Sequence, residues 1–284
     1  MNISKELQLI IQFLNISVYD LSFELGIGRK TLYRWLNETN EVSERNVELV
    51  YNYAFKNRLK INQIKEMLFR EEYVDSNNLV LFHGSRDFLK GEPDLKHSKE
   101  NNDFGSGFYL GETYEQAATY ISASLSKRVY AFQIDITDLK ILHLSISNEW
   151  MLAIAYYRGW IDKYKESKTI KNIIKKIEFA DVIIAPIADN RMFDVISDFV
   201  NGYFTDIQSR HSLAATPLGQ QYVVRSEKAL SKLKLIEELY VPNNEKEFYI
   251  NRRLEIRELS LDKAKVARIQ YKNKGKYIEE LLDE

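Results

Sequence analysis

Through residue 74 apolar positions recur at helical spacing, and no alternating run of strand type interrupts them. Leu7 to Ile16 is a short apolar stretch broken by Gln8 and Gln12, which reads as helix. Ser17-Val18-Tyr19-Asp20 is a helix start, with Val18, Leu21 and Leu25 at apolar positions behind it. Gly26-Ile27-Gly28 makes a turn, and Arg29 to Leu36 begins a second helix with Leu32 and Trp35 on one face. From residue 75 to 242 β-rich runs alternate with helical ones. Leu79-Val80-Leu81-Phe82 is of strand type, Phe104 to Leu110 is a second run, and a helical pattern with Ala117, Ala118 and Tyr120 starts at Thr113. Asp181 to Pro186 reads as a buried strand, Ala188 to Met192 as the loop after it, and Met192 to Val200 as a helix. Gln221-Tyr222-Val223-Val224 is a further strand, and beyond residue 243 the chain is charged and helix-favouring.

This pattern predicts an all-α segment over 1–74, an α+β domain over 75–242 and a charged helical tail over 243–284. The polar stretch from Tyr73 to Asn78 serves as the first join. A length of 284 residues agrees with one or two domains. With 45% apolar and 29% charged residues there is material for a sizeable core. Lys+Arg 40 against Asp+Glu 41 gives a net charge of -1, so no global field selects nucleic acid or an anionic membrane. The absence of Cys excludes a disulfide framework, a thiolate metal site and a thiol nucleophile. The four histidines (His83, His97, His143 and His211) do not stand at metal-ligand spacing, so no metal is expected. No targeting segment is read at the start, and no stretch approaches the ~20 apolar residues of a membrane span. A cytoplasmic location is the expectation.

The helix, glycine turn and helix in DLSFELGIGRKTLYRWLNETNEVS resemble the helix-turn-helix of bacterial repressors. The resemblance puts Arg29, Lys30 and Arg34 on the outward face of a recognition helix, where they would contact DNA. The alternative is a plain helical bundle with a solvated face, since the segment carries about as many acids as bases.

LFHGSR followed by FGSGFYLGETYEQAATY, then DVIIAPIADNRMF and GQQYVVRSEKAL, resembles the poly(ADP-ribose) polymerase-like (diphtheria-toxin-type) ADP-ribosyltransferases. More narrowly, it is similar to a bacterial branch of them found in toxin–antitoxin and phage-defence settings. The resemblance covers about residues 79 to 236. It implies split, mainly antiparallel sheets with flanking helices, and NAD as co-substrate without a metal. His83 falls on the family's first signature position and would bond a ribose hydroxyl. The Gly84 backbone would pair with the nicotinamide carboxamide, with Ser85 and Arg86 near the carboxamide or the adenosine half. Tyr109 and Tyr120 would sandwich the nicotinamide ring by stacking and cation–π attraction. The bland alternative makes them core aromatics in a chain with 18 tyrosines; Gly105 and Gly107 argue for a close approach instead.

Two positions depart from the family's pattern. Ala117 stands where many members carry a serine that bonds the carboxamide. Gln221, beside Gln220, stands where a glutamate is usual. A glutamine keeps the hydrogen bond to a ribose hydroxyl but loses the charge that faces the oxocarbenium-like transition state. That costs ~1–2 kcal/mol, about 10-fold in rate, and favours single transfer over polymer synthesis. Asp189, Asp194 and Glu227 are candidate bases, Asp189 being equally suited to cap a helix. Arg191 would either contact the NAD pyrophosphate or be solvated. In the tail, Lys263, Lys265, Arg268, Lys272, Lys274 and Lys276 follow one another without an acid; a solvated or partner-docking helix face is the plainer reading, a nucleic-acid arm the other.

The expected function is therefore mono-ADP-ribosyl transfer from NAD to a macromolecular acceptor, protein or nucleic acid, with a cognate antitoxin or inhibitor as a further partner. A helix-turn-helix regulator with a non-catalytic NAD- or ADP-ribose-binding domain is one alternative. An NAD glycohydrolase is the other.

Overall fold

Five helices fill the first 73 residues: α1 (Ser4–Leu14), α2 (Val18–Glu24), α3 (Arg29–Leu36), α4 (Glu44–Lys56) and α5 (Ile61–Tyr73). The structure is a computed structural model and describes residues 1–86, 89, 92–95, 98–215 and 218–282. The Ser17 hydroxyl accepts from the Asp20 amide and so caps α2. Gly26, at φ +64°, then takes the left-handed turn that lets α3 start at Arg29. Leu7, Leu21, Leu32, Trp35, Val47 and Val50 close a small core between these helices.

The rest of the chain is organised on one sheet. Its strands are β1 (Asn78–Gly84), β2 (Phe108–Gly111), β3 (Arg128–Asp135), β4 (Ile141–His143), β5 (Val182–Pro186), β6 (Gln220–Val224) and β7 (Leu233–Tyr240). They lie in the order β4-β5-β6-β2-β1-β3-β7, antiparallel throughout except for the parallel pair β4–β5. Between and after them come α6 (Tyr114–Ile121), α7 (Asn148–Tyr157), α8 (Lys168–Phe179), α9 (Asn190–Val200), α10 (Asp206–Ala214), α11 (Glu227–Leu230), α12 (Asn243–Gln270) and α13 (Ile278–Leu282). The fold is α+β, with a mixed seven-stranded sheet. Among the described residues no helix is long and apolar enough to cross a membrane.

The sheet is continuous where two sheets were expected; what is divided is the packing on one of its faces. There, α6 covers β1 and β3 through Phe82, Ala117, Ile121 and Ala131. Next to it, α7, α8 and α9 cover β5 and β6 through Trp150, Ile174, Ile183, Met192 and Val223. The opposite face carries one apolar layer, with Leu81, Phe108, Leu110, Phe132, Ile184 and Val224. The central strand β2 thus runs beneath a seam between two separate cores. The second apolar run predicted from Phe104 begins as a strand only at Phe108, because Gly105 turns the chain at φ +74°.

Polar groups join the N-terminal helices and α12 to the sheet. The Lys65 ammonium is buried and pairs with Glu6 and Glu237. Asn62 donates to the Tyr114 hydroxyl at 2.7 Å and to the Tyr240 carbonyl at 2.8 Å. Glu245, in the first turn of α12, is buried against this group and accepts from the Tyr249 hydroxyl at 3.3 Å. The tail therefore begins inside the core and not as a solvated helix. Burial pushes the Glu245 carboxyl from 4.5 up to about 7, against the bonds from Tyr114, Tyr249 and Asn62. The folded protein then holds a proton that the unfolded chain releases, so stability falls as pH rises between those two values. Glu245→Gln is expected to raise stability at about pH 8 and change it little at about pH 5, read by urea unfolding. An equal effect at both would refute this assignment.

Candidate functional site

Strand pairing sets the geometry of the site. In an antiparallel ladder directly opposed residues share a face, and the face alternates along each strand. Gly111 of β2 opposes Phe82 of β1 on one side and Gln221 of β6 on the other. Tyr109 opposes Val223. Tyr109, Gln221 and Gly84 therefore face the seam, and Tyr109 packs against the core under α7–α9.

Gly84 closes the other wall. A Cβ there would sit 2.5 Å from the Ala117 carbonyl and 3.1 Å from an Ile121 methyl. The end of β1 thus touches the backbone of α6, one helical turn before Tyr120. Tyr120 is 55% exposed, and the Arg86 guanidinium lies 5.2 Å from its ring centre. The helix is started by a capping box in which Thr113 and Gln116 bond each other's main chain. Gln116 also donates to the Leu218 carbonyl at 3.0 Å and ties α6 to the loop before β6.

His83 occupies the opposite face. Its ring stacks on Phe108 at 4.3 Å between centroids, and its Nδ1 lies 2.8 Å from the Tyr109 carbonyl. A carbonyl only accepts, so Nδ1 carries the proton and Nε2 is left as an acceptor. Burial lowers the His83 pKa, partly offset by that carbonyl, so the ring is neutral near pH 7. His83 therefore meets Tyr109 through the main chain at the strand end, while the Tyr109 and Gln221 side chains point into the seam. Ser85 follows at the end of β1, half-buried.

The Tyr109 hydroxyl donates to the Gly105 carbonyl at 2.7 Å and accepts from the Phe104 amide at 3.2 Å. Burial raises its pKa strongly, and the charge of Asp103 adds to the rise. The flanking glycines are explained by the protein itself. A Cβ on Gly105 would strike the Tyr157 ring at 2.7 Å, and one on Gly107 would strike Val223 at 2.8 Å. The close approach inferred for both is real, and its partner in each case is a side chain of this chain.

Gln221 is buried, with Nε2 donating to the Pro186 carbonyl at 3.1 Å and to Asp103 Oδ2 at 3.2 Å. The other Asp103 oxygen accepts from Arg158 Nη2 at 2.7 Å, and that guanidinium lies 3.5 Å from the Phe193 ring centre. Asp103 and Arg158 were not visible as site residues in the sequence. Local spacing carries no signal for a contact between positions 103 and 221.

Of the candidate bases, Asp189 caps α9, accepting from the Met192 amide at 2.9 Å. Asp194 and Glu227 are exposed, Asp194 on the outer side of α9. Arg191 is not solvated: it is buried, lies 3.7 Å from Asp189, and its two terminal nitrogens have no hydrogen-bond partner. The loop at Gly105–Ser106 also walls a cleft of about 600 Å³, lined further by Tyr157, Arg158, Lys165 and Arg225. Arg29, Lys30 and Arg34 are exposed on α3, far along the chain from these residues. Tyr271 of the tail stacks on His211 of α10 at 3.7 Å between ring centroids. His97 lies outside the described residues.

An α+β sheet with a seam over its central strand is the class of structure these observations define. Residues 79–235 match the family described as Protein of unknown function (DUF3990), which is more than half the chain, and the protein belongs to that family. No curated protein and no solved structure matches it.

Gly84→Ala is expected to push β1 away from α6, costing about 1–3 kcal/mol of stability as overpacking does. Thermal unfolding reads the loss, and a substitution without effect would show that the two backbones can part freely.

Proposed function

We propose that this protein transfers a single ADP-ribose from NAD to a macromolecular acceptor. The observation that carries the reading is the seam itself: Gly84, Tyr109 and Gln221 stand on the adjacent strands β1, β2 and β6, on the sheet face where two separate cores meet. With it goes the resemblance of LFHGSR, FGSGFYLGETYEQAATY and GQQYVV to the ADP-ribosyltransferases, whose fold the reading includes. The Tyr120 face that holds the Arg86 guanidinium suits any flat cation, and the nicotinamide ring is one. His83 lies on the opposite face from Gln221, where its ring fixes the Tyr109 carbonyl at the strand end; its Nε2 would meet a ribose hydroxyl only around the end of β1. The buried Arg191, with two unpartnered nitrogens, suits a pyrophosphate in charge and hydrogen-bonding capacity.

In the reaction the bond between the ribose anomeric carbon and the nicotinamide nitrogen breaks, and its electron pair goes to that nitrogen. Nicotinamide leaves neutral, the acceptor's nucleophilic atom bonds the anomeric carbon, and the acceptor's proton is released. Gln221 would accept a hydrogen bond from the ribose and help fix its orientation. A toxin or phage-defence role, with a cognate inhibitor, follows the same resemblance.

Purified protein incubated with NAD labelled in the adenylate half and with cell lysate is expected to place label on protein or nucleic acid. His83→Ala and Tyr109→Ala should each lower transfer at least about 10-fold. Free ADP-ribose as sole product would assign an NAD glycohydrolase. NAD binding without turnover would assign a regulator.

The exposed cations of α3, with Leu32 and Trp35 turned inward, support DNA binding by the helical segment. In a gel shift of the full chain with promoter DNA, Arg29→Ala and Arg34→Ala should each weaken salt-sensitive binding by about 3- to 10-fold. Absence of any shift at low salt would discard this role.

A further inference from the structure

Gln221 leaves the proposed site without the negative charge that this reaction calls for, and the structure contains a carboxylate beside it. Asp103, in the loop before β2, is 8% exposed. Its Oδ2 lies 3.2 Å from Gln221 Nε2, and its charge is close enough to the Tyr109 hydroxyl to disfavour ionisation there. It is thus next to both seam-facing side chains, Gln221 that would meet the ribose and Tyr109 that would stack on the nicotinamide.

The hydrogen bonds also fix which way the Gln221 amide points. Both partners of Nε2, the Pro186 carbonyl and the Asp103 carboxylate, only accept. The nitrogen must therefore face them, which leaves Oε1 as the outward acceptor. That is the end a ribose hydroxyl would use, and the carboxylate behind the amide makes its oxygen a stronger acceptor. Arg158 binds the far oxygen of Asp103, but it is the more exposed partner, at 25% against 10% of the side chain. Water screens its charge more than that of the carboxylate.

We infer that Asp103 is the acidic group of this site, a positioning residue that holds Gln221 with its oxygen toward the ribose and sets a negative charge behind it. The inference rests on the transferase reading and deepens it: the work of one glutamate is divided between a buried Gln and a buried Asp. No proton transfer is assigned to Asp103. Its role is to orient the amide and to favour positive charge on the anomeric carbon as the glycosidic bond breaks.

The test measures nicotinamide release from NAD by the full chain, together with NAD affinity by calorimetry and thermal unfolding. Asp103→Asn is expected to lower kcat about 10- to 100-fold while KM and NAD affinity stay within about 3-fold. Adding Gln221→Glu to Asp103→Asn is expected to recover at least about 10-fold of that loss, since the charge returns to the site. A merely structural Asp103 would not be rescued in this way. A folded Asp103→Asn protein with wild-type kcat would overturn the inference, and so would a double variant no faster than the single one. Should Asp103→Asn fail to fold, Gln221→Glu alone decides the matter. Two carboxylates about 3 Å apart do not ionise independently, so kcat should gain a titration between about pH 5 and 9 that the wild type lacks. Its absence would overturn the inference too. If the wild-type chain releases no nicotinamide and transfers no label, the functional reading falls and this inference with it, a result seen before any variant is made.

Discussion

The register of β2 between β1 and β6 is the constraint on which the site depends. This strand has four residues and is the middle one of seven. Through its pairs it places Gly111 against Phe82 and Gln221, and Tyr109 against Val223. A slip of one residue would turn Tyr109 into the continuous apolar layer and bring Phe108 into the seam. The register is pinned from both ends. Phe108 and Leu110 are buried on the apolar face, and the Tyr109 hydroxyl is bonded to the turn at Phe104 and Gly105 on the other. His83 adds a lock of its own by bonding the Tyr109 carbonyl with its ring.

A second set of contacts braces the seam from outside. The helices above β1 and those above β5 and β6 form separate cores, and Gln116 of α6 lies across their boundary, against Gly111 and bonded to the Leu218 carbonyl. The α6 wall is braced from behind by polar joints: Asn62 on the Tyr114 hydroxyl, the Glu66 carboxylate on the Tyr114 amide at 3.1 Å, and Arg252 on Glu115 at 3.1 Å. These reach from α5 and α12, so the N-terminal helices and the start of the tail both support the wall that carries Ala117 and Tyr120. Buried polar joints of this kind are costly to break, since each broken member leaves another unsatisfied.

Much of this organisation was legible in the sequence, for reasons of local physics. Ser17, the glycine turn at 26–28 and the apolar positions of α3 define a helix pair within a few residues of each other. Leu79–Phe82, Asp181–Pro186 and Gln221–Val224 announced strands because buried runs ending in glycine, loop or polar residues leave little choice. The strand β7 stayed hidden because Glu237 and Glu238 make LKLIEELY resemble a charged helix; in the fold those acids meet Lys65 and Arg128. The α12 start was read as tail because Glu245 and Lys246 look like surface residues. They are buried because Asn62 and Tyr249 bond Glu245, and the Ser124 and Ser126 carbonyls bond Lys246. Asp103 was illegible for the same reason: its meaning lies in partners 55 and 118 positions away.

The glutamine at 221 is consistent with its surroundings in a way that a glutamate is not. The Pro186 carbonyl already accepts from the Trp150 indole at 3.3 Å and takes its second donor from Gln221. Beside a charged Asp103, a carboxylate at 221 would set oxygen against oxygen with no donor between them, in a buried setting where such contacts are expensive; an asparagine at 103 would supply that donor. An amide resolves both contacts and still presents an oxygen to the seam. The neutral residue and the neighbouring carboxylate therefore form one unit: Asp103 requires a donor at 221, and Gln221 requires acceptors at 103 and 186. Held from the other side by Arg158, which also lines the neighbouring cleft, the unit joins the seam to that second surface by a single chain of hydrogen bonds.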